Sequence, residues 1–230
     1  MKPAALPYVG LSAFIALLSA LYIALTMAAG TVPSRPITLL IAFDTSKSDR
    51  SQLPGFVAMA LPLVGSLNPT TDRLSMWRMD ANVRRFHDGP PIASREKLAR
   101  MLVKELSPKA TSPSTAFHQM WRALADALEH STEPTVVVLY SDGIPDGSTV
   151  ADRAASHDAI GRIARCPNLA GFAVIGVHDV AWSGLAVDLG PVSERLGADR
   201  FHMLGEHYTD LTPVFGVVER VRREGARRAQ

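Results

Sequence analysis

Cysteine is nearly absent from this 230-residue chain. With Cys166 alone, neither an intrachain disulfide framework nor a multi-cysteine zinc site is available, and cysteine usage sets no compartment. An excess of either charge is lacking as well: 24 Lys and Arg face 22 Asp and Glu, a formal net charge of +2. Binding a phosphate backbone needs a concentrated basic face, so this balance offers no bulk case for nucleic acid. The seven histidines, at 87, 118, 130, 157, 178, 202 and 207, show no HExxH or comparable ligand spacing, which leaves them surface or core roles rather than zinc. What remains is ordinary globular composition, 47% hydrophobic and 20% charged, with material for one good core. Disordered, collagen-like and repeat architectures are excluded.

The hydrophobicity is unevenly spread. From Tyr8 to Gly30 the chain reads YVGLSAFIALLSALYIALTMAAG, with no charged residue. A helix rising about 1.5 Å per residue crosses a roughly 30 Å hydrocarbon layer in about 20 residues, which this run supplies. A cleaved signal peptide is the competing reading, given Lys2 before the run and the small residues Ala28-Ala29-Gly30 at its end. The run exceeds the usual signal core, so a retained single-pass anchor is expected over residues 1–30. Lys2 before it and Arg35 after it bias the N-terminus weakly inward, leaving residues 31–230 extracytoplasmic. Residues 31–36 are a short Pro-containing linker.

Beyond the linker, short apolar runs alternate with amphipathic stretches, the pattern of an α/β sheet protein. Ile37 to Phe43 and Thr135 to Tyr140 are continuously apolar and read as strands covered on both faces. A helix is expected over Asp49 to Val64, with Pro62 ending or kinking it, then a hairpin from Leu74 to His87 around Asp80-Ala81-Asn82. Helices follow from Ser94 and from Thr115, the latter after the polar loop 107–114. Further elements are a helix over Ala151 to Arg165, a strand over Phe172 to His178, and a helix around Val192 to Leu196. A strand over Phe201 to Leu204 and a final helix from Asp210 complete the chain. The expected fold is one doubly wound domain over residues 37–222 with a mostly parallel sheet, one antiparallel edge strand and helices on both faces. Residues 223–230 are a basic tail, most simply a solvated helix end and alternatively a contact for anionic lipid or an acidic partner.

In such sheets ligands bind beyond the carboxyl ends of the strands. Just after the first buried strand stands Asp44-Thr45-Ser46-Lys47-Ser48, whose alternate positions bring one carboxylate and two hydroxyls together. Thr115 offers a third hydroxyl from a neighbouring loop, and Asp142 a second carboxylate after the next central strand. Oxygen donors of this kind suit a hard divalent cation, Mg²⁺ or Mn²⁺. Each residue also has a plainer use: Asp44, Ser46, Ser48 and Thr115 as helix N-caps, Asp142-Gly143 as a turn.

Asp44-x-Ser46-x-Ser48, then Thr115 at a helix start, then Asp142-Gly143 after a buried strand together resemble the metal-ion-dependent adhesion site (MIDAS) of von Willebrand factor type A (VWA) domains. The order of elements resembles that fold over roughly Ile37 to Arg222. The resemblance implies that Ser46, Ser48 and Thr115 contact the cation through hydroxyls, while Asp44 and Asp142 act directly or through water. It further implies an open coordination position filled by an acidic side chain of a partner protein. One departure is that Thr115 follows Ser112-Pro113-Ser114 where the family commonly has glycines. A cation with only two protein carboxylates stays electrophilic, which fits binding rather than acid–base work, so no enzyme activity and no small-molecule substrate are expected.

Two other readings compete. A haloacid-dehalogenase-like phosphatase would use Asp44 as nucleophile, but such enzymes carry a second aspartate two residues on, where this chain has Ser46. Lys109 and Asp146 are poor stand-ins for that family's later motifs. A structural scaffold with metal-independent contacts is the other alternative. His178-Asp179 falls at a predicted strand end, a position from which it could border the same face, although a surface or core role is the simpler expectation.

Overall fold

The computed structural model describes residues 35–228, apart from 47, 80–81, 108–116 and 145–147. The expected anchor over residues 1–30 therefore lies outside the described residues. Among the described residues no helix is long and apolar enough to cross a membrane.

The first half of the fold runs β1 (Thr38–Asp44), a 3-10 turn (Ser48–Ser51), α1 (Leu53–Gly65), β2 (Arg73–Met79), β3 (Val83–Gly89), α2 (Arg95–Glu105) and α3 (Phe117–Glu129). It continues with β4 (Thr135–Tyr140), α4 (Val150–Arg165), β5 (Leu169–Val177), α5 (Asp179–Asp188), α6 (Gly190–Leu196), β6 (Phe201–Gly205) and α7 (Thr212–Arg228). The six strands form one sheet in the order β3-β2-β1-β4-β5-β6. Every neighbouring pair is parallel except β2 with β3, the antiparallel edge that the hairpin pattern predicts.

The continuous apolar runs are explained by the two covered faces. Leu39, Ile41 and Phe43 of β1 share a core with α1, α2 and α7, while Leu40 and Ala42 share one with α3, α4 and α6. Phe43 and Tyr140 stack on the first face with ring centroids 5.1 Å apart, and Phe56 of α1 tilts against Tyr140 at 5.3 Å. Parallel pairing sets Phe43 beside Tyr140, so β1 and β4 end side by side. That register carries Asp44 and Ser141 to the same edge of the sheet.

Local chemistry accounts for several boundaries. Ser94 accepts the Lys97 amide at 3.2 Å and caps α2, and Thr149 with Asp152 forms a reciprocal capping box at α4. Asp210 accepts the Thr212 amide at 2.8 Å just ahead of α7. Pro62 does not end α1, which runs on to Gly65. α5 has no counterpart in the sequence reading, because Leu185 is its only buried residue and it therefore lacks an apolar period. β5 starts three residues earlier than expected; Ala170 and Gly171 carry no strand signal, yet a Cβ at Gly171 would collide with the Val217 side chain, the mark of α7 packed hard onto the sheet.

Candidate metal centre

The site is assembled where β1 and β4 end. After Asp44 the chain leaves the sheet, with the Thr45 amide and hydroxyl both donating to the Met79 carbonyl, at 2.8 and 2.9 Å. The Asp44 carboxylate faces back: Oδ1 accepts the Ser46 amide at 2.9 Å and Oδ2 the Ser141 hydroxyl at 2.9 Å. On the β4 side, Gly143 takes a positive φ of 76°, which lets its amide turn back and donate to Ser141 Oγ at 3.0 Å. Asp142 Oδ1 accepts the Ile144 amide at 2.9 Å, and its carbonyl accepts the His178 amide at 2.9 Å.

A third carboxylate completes the cluster. Asp49, in the 3-10 turn, accepts the Asp142 amide on Oδ1 at 2.9 Å and the Ser46 hydroxyl on Oδ2 at 3.3 Å. Asp44, Asp49 and Asp142 each offer an oxygen within 4.8 Å of the others, and all three are essentially inaccessible. Burial raises the Asp44 pKa, against the hydrogen bonds that lower it. Burial first, and then the charges of Asp44 and Asp142, drive the Asp49 carboxyl far upward. Asp44 and Asp49 interact side chain to side chain, and burial disfavours charge on both, so the two titrate as a coupled pair.

The structure thus brings Asp44, Ser46 and Asp142 together. Ser48 opens the 3-10 turn, and Thr115 lies outside the described residues, as do Lys109 and Asp146. Asp49 and Ser141 join the cluster without having been picked out in the sequence. Asp49 read as the acidic start of a helix, yet its spacing of three from Ser46, close to one helical turn, was the available signal. His178 caps α5, its Nδ1 accepting the Val180 amide at 3.3 Å, and lies next to Asp142 through its backbone. Carboxylates and hydroxyls supply only hard oxygen donors, and three buried carboxylates gain from a cation that cancels their repulsion, so by donor type the residues fit a divalent cation. In that arrangement Asp49 would yield its proton on binding.

No protein-family model matches the chain, and no curated protein matches it in sequence. Solved structures do match in fold. The D319A mutant of the PilB minor pilin from Streptococcus sanguinis superposes with a TM-score of 0.56 at 9% identity, over 84% of this chain and 62% of that one. The ArnB paralog VWA2 from Sulfolobus acidocaldarius gives 0.52 at 17% identity, over 80% of this chain and 44% of that one. Proximal thread matrix protein 1 from the mussel byssus, with a zinc-occupied MIDAS motif, gives 0.53 at 13% identity, over 84% and 46%. This chain spans less than two thirds of the length of each. The likeness establishes the architecture, an α/β fold of VWA type.

Proposed function

We propose that this chain is a single-pass membrane protein whose VWA-type domain, facing the extracytoplasmic side, binds a protein partner through a divalent cation, Mg²⁺ or Mn²⁺. Asp44, Ser46, Ser48, Thr115 and Asp142 hold the cation, joined by Asp49, and the partner completes the coordination with an acidic side chain. The observation that carries this reading is the convergence of three buried carboxylates at the carboxyl edge of the sheet. The metal-occupied MIDAS of the mussel protein and the pilin among the structural neighbours support a binding role. The rim of the site adds apolar surface: Val180 and Gly143 line one depression beside α5, and Val150, Trp182 and Val187 are exposed nearby on α4 and α5.

A second reading has its own observation. The Ser46 hydroxyl donates to Asp49, and burial, which raises the Asp49 pKa, favours its neutral form without a cation. A protonated latch that ties the turn after β1 to β4 serves a metal-independent scaffold equally well. Capture of partners from membrane extracts by the wild-type chain and by Asp44→Ala separates the two. Partner retained in Mg²⁺, released by EDTA and absent from the variant supports the metal-dependent reading; retention in EDTA sinks it.

A further inference from the structure

A polar cavity lies at the opposite, amino end of the strands. Arg35, Pro134, Asn168 and Arg200 stand just ahead of β1, β4, β5 and β6, and together with Arg195 and Glu224 they line a cavity of about 270 Å³. Three guanidinium groups therefore surround one carboxylate. Glu224 is engaged by Arg200, whose Nη2 lies 2.5 Å from both of its oxygens. Arg195 donates to the carbonyls of Ala164 at 2.9 Å, of Cys166, and of Pro167 at 3.4 Å, neutral acceptors that leave its charge uncancelled. Arg35 is exposed and has no hydrogen bond or ion pair among the described residues. Two positive charges are left over in a polar pocket.

We propose that this pocket binds the phosphodiester headgroup of an anionic phospholipid. Guanidinium forks match phosphate oxygens in geometry and charge, and Arg35 and Arg195 are the groups with capacity to spare. The position of the pocket selects lipid over free phosphate as the source. Gly30, the last residue of the uncharged run, precedes Arg35 by five residues, a reach of at most about 18 Å. This step rests on the reading of residues 8–30 as a membrane span. With that tether, the arginine pocket faces the bilayer surface and the carboxylate cluster, at the other end of the strands, faces away from it.

The test uses the full chain in a non-ionic detergent, following its melting temperature against dihexanoyl-phosphatidylglycerol, dihexanoyl-phosphatidylcholine and inorganic phosphate. The expected result is a saturable rise with phosphatidylglycerol alone, with the midpoint concentration about tenfold higher in Arg35→Ala. Because Arg35 holds no partner among the described residues, that variant keeps its fold; Arg195→Ala, which also frees three carbonyls, is the second variant. An equal response to both lipids, or an Arg35→Ala titration like the wild type, overturns the site. Inorganic phosphate acting as strongly as phosphatidylglycerol overturns the lipid assignment in favour of a soluble phosphate. Alkaline carbonate extraction of membranes holding the full chain tests the anchor separately: release overturns the membrane span, and the titration still scores the pocket.

Discussion

Asp49 accepts the backbone amide of Asp142 at 2.9 Å, joining the turn after β1 to the end of β4 across 93 residues of sequence. The contact makes Asp49 part of the site's frame, holding the loop that carries Asp142 against the one that carries Ser46.

Replacing this carboxyl with an amide separates its two roles. The substitution Asp49→Asn keeps an acceptor for the Asp142 amide and removes an ionisable group that burial disfavours when charged. It is expected to stabilise the metal-free protein at pH 8 by about 1–2 kcal/mol and to weaken Mn²⁺ binding at least tenfold. Denaturant unfolding and a Mn²⁺ titration check the two halves; unaltered Mn²⁺ affinity removes Asp49 from the ligand set.

The same chemistry sets a pH dependence. Asp44 and Asp49 have raised pKa values in the folded state, Asp44 to about 6, so the folded protein binds more protons than the unfolded chain above the ordinary aspartate value of 3.8. Stability then falls as pH rises from that value through about 6, and Asp49 extends the fall to higher pH. A divalent cation, which competes with these protons, is expected to stabilise more at pH 8 than at pH 5. Melting curves across this range, with EDTA and with Mn²⁺, show both slopes; an EDTA series in which the cluster variants Asp44→Asn and Asp49→Asn fall as steeply as wild type contradicts the assignment.

Tyr140 gives a prediction about the core beneath the site. Its ring packs against Phe43 and Phe56 while its buried hydroxyl has no hydrogen-bond partner among the described residues. Tyr140→Phe keeps the stack and drops the unsatisfied group, and is expected to raise stability by about 1 kcal/mol. A loss of stability in this variant means that the hydroxyl is hydrogen-bonded in solution.

Gly176 tests the packing that seats α1. Its φ is 97°, and a Cβ there would lie 2.7 Å from the Phe56 ring and 2.8 Å from Gln52 Oε1. Gly176→Ala is expected to cost about 2–4 kcal/mol through backbone strain and overpacking. Equilibrium unfolding measures it, and a change under about 0.5 kcal/mol, the range of ordinary surface substitutions, contradicts the close approach.

Much of this architecture was legible because burial on both faces writes itself as unbroken apolar runs, as in Ile37–Phe43 and Thr135–Tyr140. Turn chemistry and helical spacing exposed the antiparallel edge, α2 and α4. α5 was illegible for the opposite reason: an exposed helix seated by Leu185 has no period to read. The convergence of Asp44, Ser46 and Asp142 followed from strand ends meeting at one edge. Asp49 left only a faint mark, its spacing of three from Ser46, because an acidic residue at a helix start is ordinarily solvated; the fold of the 3-10 turn aims it inward. The arginine pocket was hidden for a similar reason, its members being scattered from Arg35 to Glu224 and gathered by the parallel strand starts and by α6 and α7.

Whether the carboxylate cluster holds a cation is decided by thermal unfolding of the full chain in EDTA and then in millimolar Mg²⁺ or Mn²⁺, beside Asp44→Ala. A cation at about 100 times its dissociation constant contributes about 2.7 kcal/mol to the folded state, a rise of about 5–10 °C for a domain of this size. That rise is expected for the wild type and none for Asp44→Ala. A wild-type midpoint unmoved by either cation, or a variant that rises as far as the wild type, contradicts it.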